Sequence, residues 1–385
     1  SLLQVTLQHR FSFSNGIYFS VYDTEMLTDK FIRYGSTEHI ALSHHEASAK
    51  YFAFEFLHGD ETNPRNIHTP FLDSVYQYQM LTPDVIEINK MFIGRMLYDV
   101  EQLDCWQVIM MLLGSGGSGK STIHNVVRMF YDFEDVGVMG NNYQKLFGLA
   151  DIYDKFIFIA PEIKRDWGID QAEFQEIVSG GKVNVNIKHK DSIRVSWKAP
   201  GMLAGNENPG FVDNASSIQR RVVVTRFNHK VQQGDPHLAK KLEGEIGKIL
   251  KQCNLIYLQY VREKKAEDIW KWLPPYFIQT QTMMACASNA LNAFLHSDHV
   301  RLDSSLFVPM EDFFRRFNFF CTEHNFKRPN INVDMYSAPF EKVRIEVIPK
   351  GTHTYRGRVF KNIRILKGVD LSHIEEDGEM IVDDP

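Results

Sequence analysis

Cysteine is scarce: four in 385 residues (Cys105, Cys253, Cys286, Cys321), far apart and with no C-x-x-C pair. That argues against a disulfide framework and reads as reduced, mostly buried thiols of an intracellular protein. Long apolar runs are missing too, so no segment is expected to span a bilayer and no membrane association is expected; no signal-peptide pattern opens the chain. Neither sign of charge dominates. With 43 Lys and Arg against 48 Asp and Glu, a net charge of −5 excludes a wholly basic nucleic-acid coat and leaves room for local basic surfaces. The 44% hydrophobic and 24% charged residues describe an ordinary globular chain, whose length suits roughly two to four domains.

The most informative stretch is Gly114 to Thr122, GSGGSGKST. It follows the apolar run Val108 to Leu113 and precedes a helix-like segment, Ile123 to Phe130. Gly114, Gly119, Lys120 and Ser121 satisfy G-x-x-x-x-G-K-S between a strand and a helix, the context a phosphate-binding loop requires. Glycines at 114, 116, 117 and 119, with Ser115 and Ser118 between them, let backbone N–H groups turn inward around a phosphate chain. The following helix adds its positive end. Lys120 would neutralise the β- and γ-phosphates of ATP, and the Ser121 hydroxyl would sit on Mg²⁺ with Thr122 in support.

Residues 101–230 read as one α/β unit. Val136 to Met139 is a short strand, and Lys155 to Ala160 is a buried strand that delivers Pro161 and Glu162. Ligand-binding residues of a parallel sheet sit at the carboxyl ends of its strands. Glu162 would therefore polarise the attacking water or hold Mg²⁺ through water. Residues 183–198 alternate as a β-hairpin with Lys188, His189 and Lys190 at its tip, which suits either phosphate contact or a solvated turn. Met202 to Ala204 is a strand ending at Gly205 and Asn206; the Asn206 amide can bond both a γ-phosphate and water. Arg220 and Arg221 start a strand, Val222 to Thr225, and read as surface charge or as an arginine finger for a neighbouring subunit.

Elsewhere the chain carries less chemistry. Asn15-Gly16 marks a hairpin within Phe11 to Tyr22, and Ile86 to Leu103 has helical spacing. Leu238 to Tyr260 and Gln279 to Leu295 read as packing helices. Phe313, Phe314, Phe317, Phe320 and Cys321 form a helical stripe, most simply a core face. Lys350 to Lys367 holds six basic residues, among them Arg356, Arg358 and Lys361, and no acid. Helices followed by a basic hairpin suit a small winged-helix DNA binder, though a solvated basic sheet edge has the same composition. An acidic tail, Ile374 to Pro385, closes the chain.

Taken together, NGIY at Asn15–Tyr18, the glycine loop, Glu162, SGGKVNVNIKHK, LAGNENP at Leu203–Pro209, RRVVVTRF at Arg220–Phe227 and FKNIRILKG at Phe360–Gly368 resemble a superfamily 3 helicase. More narrowly, the chain resembles the helicase portion of the poxvirus- and phage-type primase-helicases of large DNA viruses. One departure stands out: many relatives place two acids together, whereas Ala160-Pro161 precede a single Glu162 here. The resemblance implies an α/β fold with an AAA+-like P-loop ATPase core around a parallel sheet. It implies a homo-hexameric ring that moves 3′ to 5′ on single-stranded DNA and opens forked duplex with ATP and Mg²⁺. Primase and polymerase would be its replication partners, in a host cytoplasm or nucleus. By residue, it implies Lys120 and Ser121 in the phosphate loop, Glu162 as the acid, Asn206 as the sensor, Arg220 or Arg221 as the finger and Lys188 and Lys190 in the channel. The expected layout is a mostly helical N-terminal collar at 1–100, the ATPase core at 101–230, helices at 231–300, a winged-helix-like domain at 301–373 and the tail at 374–385. A packaging or loading ATPase that does not unwind, and a non-catalytic DNA-binding scaffold, are the rival readings.

Overall fold

The computed structural model describes residues 9–42, 48–140, 148–187, 191–209, 217–324, 326–351, 353–355, 358–360 and 362–372. The chain divides into two compact units, Ser1–Phe211 with Arg220–Gln281, and Val212–Gln219 with Thr282–Pro385.

The first unit opens with strands β1 (Arg10–Phe13), β2 (Gly16–Asp23) and β3 (Thr28–Arg33), the short helix α1 (Thr37–Ala41) and strand β4 (Lys50–Phe52). They form a sheet of order β3-β2-β1-β4. The Asn15-Gly16 turn signal holds: Phe13 pairs with Gly16 across the tight reversal. A Cβ on Gly16 would meet the Ile32 carbonyl oxygen at 2.4 Å, so glycine is required there. The N-terminal region is therefore not mostly helical as expected. Phe11, Phe13 and Tyr18 alternate inward from this sheet and are fully buried, a two-residue period that a helix cannot use. Helices α2 (Pro70–Tyr78) and α3 (Pro83–Arg95) follow, each with proline in its first turn, where the missing N–H has no intrahelical partner to lose. Helix α3 stops short of the Leu103 expected from periodicity. The chain reverses at Glu101, which has φ 64°, and Asp104 returns to Arg95.

The central sheet is built from β5 (Ile109–Gly114), β6 (Val136–Val138), β7 (Ile157–Ile163), β10 (Gly201–Gly205) and β11 (Val222–Phe227), with α4 (Lys120–Arg128), α5 (Gln171–Val178) and the hairpin β8 (Lys182–Val185) and β9 (Ile193–Ser196) lying between them in sequence. Its order is β11-β5-β10-β7-β6 and every pairing is parallel. Strands covered on both faces read as continuous apolar runs, which is why IMMLL and VVVT carry almost no polar residue. Helices α6 (Leu238–Lys264) and α7 (Pro275–Ser288) come next. One core joins Phe11 and Tyr18 to Met110, Ile159, Ile249 and Phe277. Among the described residues no helix is long and apolar enough to cross a membrane.

The second unit contains α8 (Ala290–Leu295), β12 (Val300–Pro309), α9 (Met310–Glu323), α10 (Val333–Lys342), β13 (Glu346–Ile348), β14 (His353–Tyr355), β15 (Arg358–Phe360) and β16 (Ile365–Leu371). Its sheet has the order β12-β16-β13, and β14 pairs with β15 as a separate hairpin. The phenylalanine stripe is core: Phe313, Phe314, Phe317, Phe320 and Cys321 are buried around Phe294 and Phe340. Strand β12 went unforeseen because its register breaks between Leu302 and Phe307, across Asp303-Ser304-Ser305, which hides any alternation.

A buried ion pair fixes α3 to the start of the central sheet. Asp104 accepts from Arg95 Nε at 2.7 Å and Nη2 at 3.0 Å, from the Tyr257 hydroxyl at 2.7 Å and from the Trp106 N–H at 3.0 Å. Burial pushes the Asp104 carboxyl upward, but Arg95 and the other donors outweigh it and hold it below the ordinary aspartate value. Its stabilisation is complete above roughly pH 4 and is lost as the pH falls through the lower folded value. Asp104→Asn leaves Arg95 charged and buried, so urea denaturation at pH 7 is expected to show a loss on the order of 3 kcal/mol. The deficit should shrink when the same titration is run below pH 4.

Candidate functional site

All five strands of the parallel sheet end on one edge, and the glycine loop leaves β5 there. Gly114, its last residue, pairs with Phe227 of β11. A Cβ on Gly114 would meet the Phe227 carbonyl oxygen at 2.0 Å, so these backbones approach as only glycine allows. Gly117 and Gly119 have φ of 74° and 98°, and Gly119 caps α4 in the left-handed conformation. Side chains avoid that region, which explains glycine at both positions. Ser118 Oγ donates to the Ser115 carbonyl at 2.8 Å and tightens the loop.

Lys120 opens α4 and is only 8% exposed. Its ammonium donates to the Gly114 carbonyl at 2.6 Å, the Ser115 carbonyl at 2.7 Å and Asn206 Oδ1 at 3.1 Å. Burial lowers its pKa. One turn further on, His124 is 2% exposed, and burial, aided by Arg128 and Lys120, pushes its imidazole down to about 4. The side chain behind the lysine is therefore neutral at physiological pH.

Asn206 arrives because β10 runs between β5 and β7, pairing Gly205 with both Leu113 and Ile163. Glu162 arrives by a different device. Between the pairs Leu203–Ala160 and Gly205–Ile163, β7 carries one residue more than β10, a bulge at Pro161-Glu162. Proline inside a sheet is confined to edges and bulges, and a bulge re-aims the side chain beside it. Glu162 is exposed and lines a cavity of about 250 Å³ with Gly116, Gly117, Ser118, Gly119, Lys120, Ser121, Gly205 and Asn206. Lysine, acid, amide and hydroxyl thus share one concavity.

A larger cavity of about 670 Å³ adjoins the loop at Gly117, Gly119 and Ser121 and was not foreseen. Thr122 faces this one, with Asn125, Met129, Tyr131, Phe133, Leu238 and Leu242. The aromatic run Phe130-Tyr131-Asp132-Phe133 directly after α4 was the available signal; its partners on α6 lie more than a hundred residues away and left none.

Arg220 and Arg221 are not brought to this cavity. They precede Val222, which pairs with Ile109 at the start of β5, so they lie at the opposite edge, about 20 Å away over six residues of strand. Arg220 is exposed, Arg221 is 8% exposed, and both line a separate cavity of about 260 Å³ with Trp106, Asp268 and Trp270. The β8–β9 hairpin forms as expected, with Val183 opposite Val195 and Val185 opposite Ile193; its tip, Lys188, His189 and Lys190, lies outside the described residues. Arg358 begins β15, whereas Arg356, Lys361 and the acidic tail lie outside the described residues.

The packing of the loop generates a paired prediction. Gly114→Ala must part β5 from β11 and is expected to lose about 1–3 kcal/mol, the usual cost of overpacking. Gly116→Ala meets nothing within 4 Å and should leave the denaturation midpoint unchanged in the same measurement.

A family model described as a family of unknown function (DUF5906) matches residues 112–221, from the end of β5 to the paired arginines. No curated protein matches the chain. Among solved structures the chain is similar to the NrS-1 C-terminal region in its apo A form, at 10% identity, with 93% of this chain and 95% of that chain covered and a TM-score of 0.43. A second apo structure of the NrS-1 C-terminal region is likewise 10% identical, with 94% and 96% covered and a TM-score of 0.41.

Proposed function

We propose that the chain is the ATP-hydrolysing part of a ring-forming DNA helicase of the superfamily 3 type its motifs resemble. One observation carries this reading. Strand β10 lies between β5 and β7, so Lys120, Asn206 and Glu162 meet at one cavity. An AAA+-like P-loop ATPase needs that set: a lysine for the β- and γ-phosphates, an acid for the attacking water, and an amide between them that touches both. The donors suit ATP with Mg²⁺, which Ser121 and Glu162 would hold; when bound, the ion offsets charge on the phosphate oxygens. The larger apolar cavity beside Thr122 would take the nucleoside, with Met129, Tyr131 and Phe133 as its walls.

The position of the arginines supports a ring. Arg220 and Arg221 are about a strand's length from their own loop, roughly 20 Å, so each would serve the site of a neighbouring copy. In a homo-hexamer every interface would then join one chain's Lys120 to another's guanidinium. Lys188, His189 and Lys190 on the hairpin would grip single-stranded DNA in the channel, mainly through phosphates and hence weakly at high salt. Elements of the second unit support the winged-helix reading: helices α8, α9 and α10 share one buried core with strands of the β12-β16-β13 sheet, and a separate hairpin, β14–β15, stands between β13 and β16 in sequence. Arg356, Arg358 and Lys361, the basic residues of that stretch of sequence, would contact DNA backbone. Movement 3′ to 5′, forked duplex as substrate, primase and polymerase as partners, and an intracellular, viral setting belong to the same proposal.

Phosphate release with and without single-stranded DNA is the first test. Lys120→Ala is expected to abolish hydrolysis while the circular dichroism spectrum shows the fold intact; an active variant would sink the site assignment. Strand displacement on a forked duplex then separates helicase from packaging motor, since ATP use without displacement supports the motor. DNA binding with no hydrolysis at all supports the scaffold. A second test mixes two inactive chains, Lys120→Ala and the double variant Arg220→Ala with Arg221→Ala. Partial recovery of hydrolysis is expected, because some interfaces then pair an intact lysine with intact arginines. No recovery, together with a particle of single-chain mass in nucleotide and DNA, would overturn the ring.

A further inference from the structure

Gln79, just past the end of α2, is 4% exposed and lies 39 residues before the loop it touches. Its Nε2 donates to the Ser118 carbonyl at 2.9 Å and to the His229 carbonyl at 2.8 Å, and its Oε1 accepts the His229 N–H at 2.8 Å. The amide thus uses both donors and an acceptor on two segments, the glycine loop and the chain leaving β11. The neighbouring residues reinforce the stitch. The Tyr78 hydroxyl donates to the Lys230 carbonyl and accepts the Gln232 N–H, and the Val231 N–H donates to the Gly117 carbonyl at 3.0 Å. Val75 lies 3.5 Å from where a Cβ on Gly119 would stand.

The consequence follows from peptide geometry. In a trans peptide the carbonyl and the next N–H point in opposite directions. With the Ser118 carbonyl tied to α2, the Gly119 N–H is directed away from α2, toward the cavity that Gly119, Lys120 and Ser121 line. The same amide holds the segment whose continuation, Val231 to Pro236, walls the larger cavity. We propose that Gln79 is a positioning residue of the nucleotide site, supplied by the N-terminal region, which sets the Ser118–Gly119 peptide so that the loop's N–H groups face phosphate. This rests on the nucleotide reading above.

The test compares wild type, Lys120→Ala, Gln79→Met and Gln79→Glu by anisotropy of a fluorescent ATP analogue with Mg²⁺, by KM and kcat for phosphate release, and by thermal melting. Gln79→Met keeps the volume and removes all three bonds. Its analogue Kd and its KM are expected to rise about tenfold, the scale of one or two lost hydrogen bonds, at temperatures far below its melting point. Gln79→Glu keeps the His229 N–H bond but turns an acceptor toward two carbonyls, and should bind more weakly still. A lowered melting temperature with Kd and KM as in wild type would mean a merely structural residue and overturns the proposal, as would failure of both Gln79 variants to fold. Absence of binding by wild type sinks the nucleotide reading itself. Binding by wild type and by Gln79→Met alike, with none by Lys120→Ala, sinks only the role of Gln79.

Discussion

The contact between the Lys120 ammonium and Asn206 Oδ1, at 3.1 Å, ties the start of α4 to the end of β10 across 86 residues of sequence. It requires β10 to lie beside β5, and the place of β10 between β5 and β7 sets Asn206 beside the end of β7 as well. Were β10 at the sheet's edge, Asn206 would sit two strand spacings or more from the end of β5 or of β7, about 10 Å, beyond the reach of a side-chain amide. The strand order is thus the constraint from which the chemistry descends. It places one polar group between a lysine and an acid, and the apolar runs of β5, β7, β10 and β11 hold that order by burying both faces of the sheet.

How much of this was legible varied with the range of the interaction. The glycine loop could be read because its requirements are local: a backbone at positive φ admits little but glycine, and a lysine two residues past Ser118 is a matter of spacing. Glu162 could be read as a strand-end acid, yet the bulge that aims it depends on the register with β10, which no single segment encodes; Pro161 was the only trace. The N-terminal sheet was half visible. β1 and β2 announce themselves by alternation around a turn, whereas β4 is three residues long and pairs in parallel with β1, so nothing nearby specifies it. Gln79 left no signal at all, because a polar residue after a helix looks the same whether it meets water or two distant backbones.

The sheet has two ends, and the chain uses them differently. The carboxyl edge gathers the polar groups; the amino edge carries Arg220 and Arg221, against Trp106 and Trp270. The Trp270 indole N–H donates to the Arg220 carbonyl at 2.8 Å, so the backbone that presents the arginines is held by an aromatic wall rather than left as a loose loop. Holding the backbone in place lowers the ordering entropy that any contact made by these arginines must overcome.

Helix α6 explains why the N-terminal region belongs to the same core as the central sheet. Its buried polar residues reach back across 153 to 236 positions. Glu245 accepts the Phe71 and Leu72 N–H groups at the start of α2, Lys251 pairs with Asp29, and Gln252 receives from Lys90 and Thr69. Asn254 donates to the Tyr18 hydroxyl and the Ser20 carbonyl, and Tyr257 donates to Asp104. Apolar packing alone tolerates sliding; a buried donor without its acceptor costs about 1–3 kcal/mol, so each of these bonds penalises any shift of register between α6 and its partners. Helix α2 is consequently gripped at both ends, by Glu245 at its start and through Gln79 by the glycine loop at its finish. A displacement of the loop must therefore either break the Gln79 bonds or move α2 against α6, which makes the N-terminal region part of whatever mechanics the loop performs.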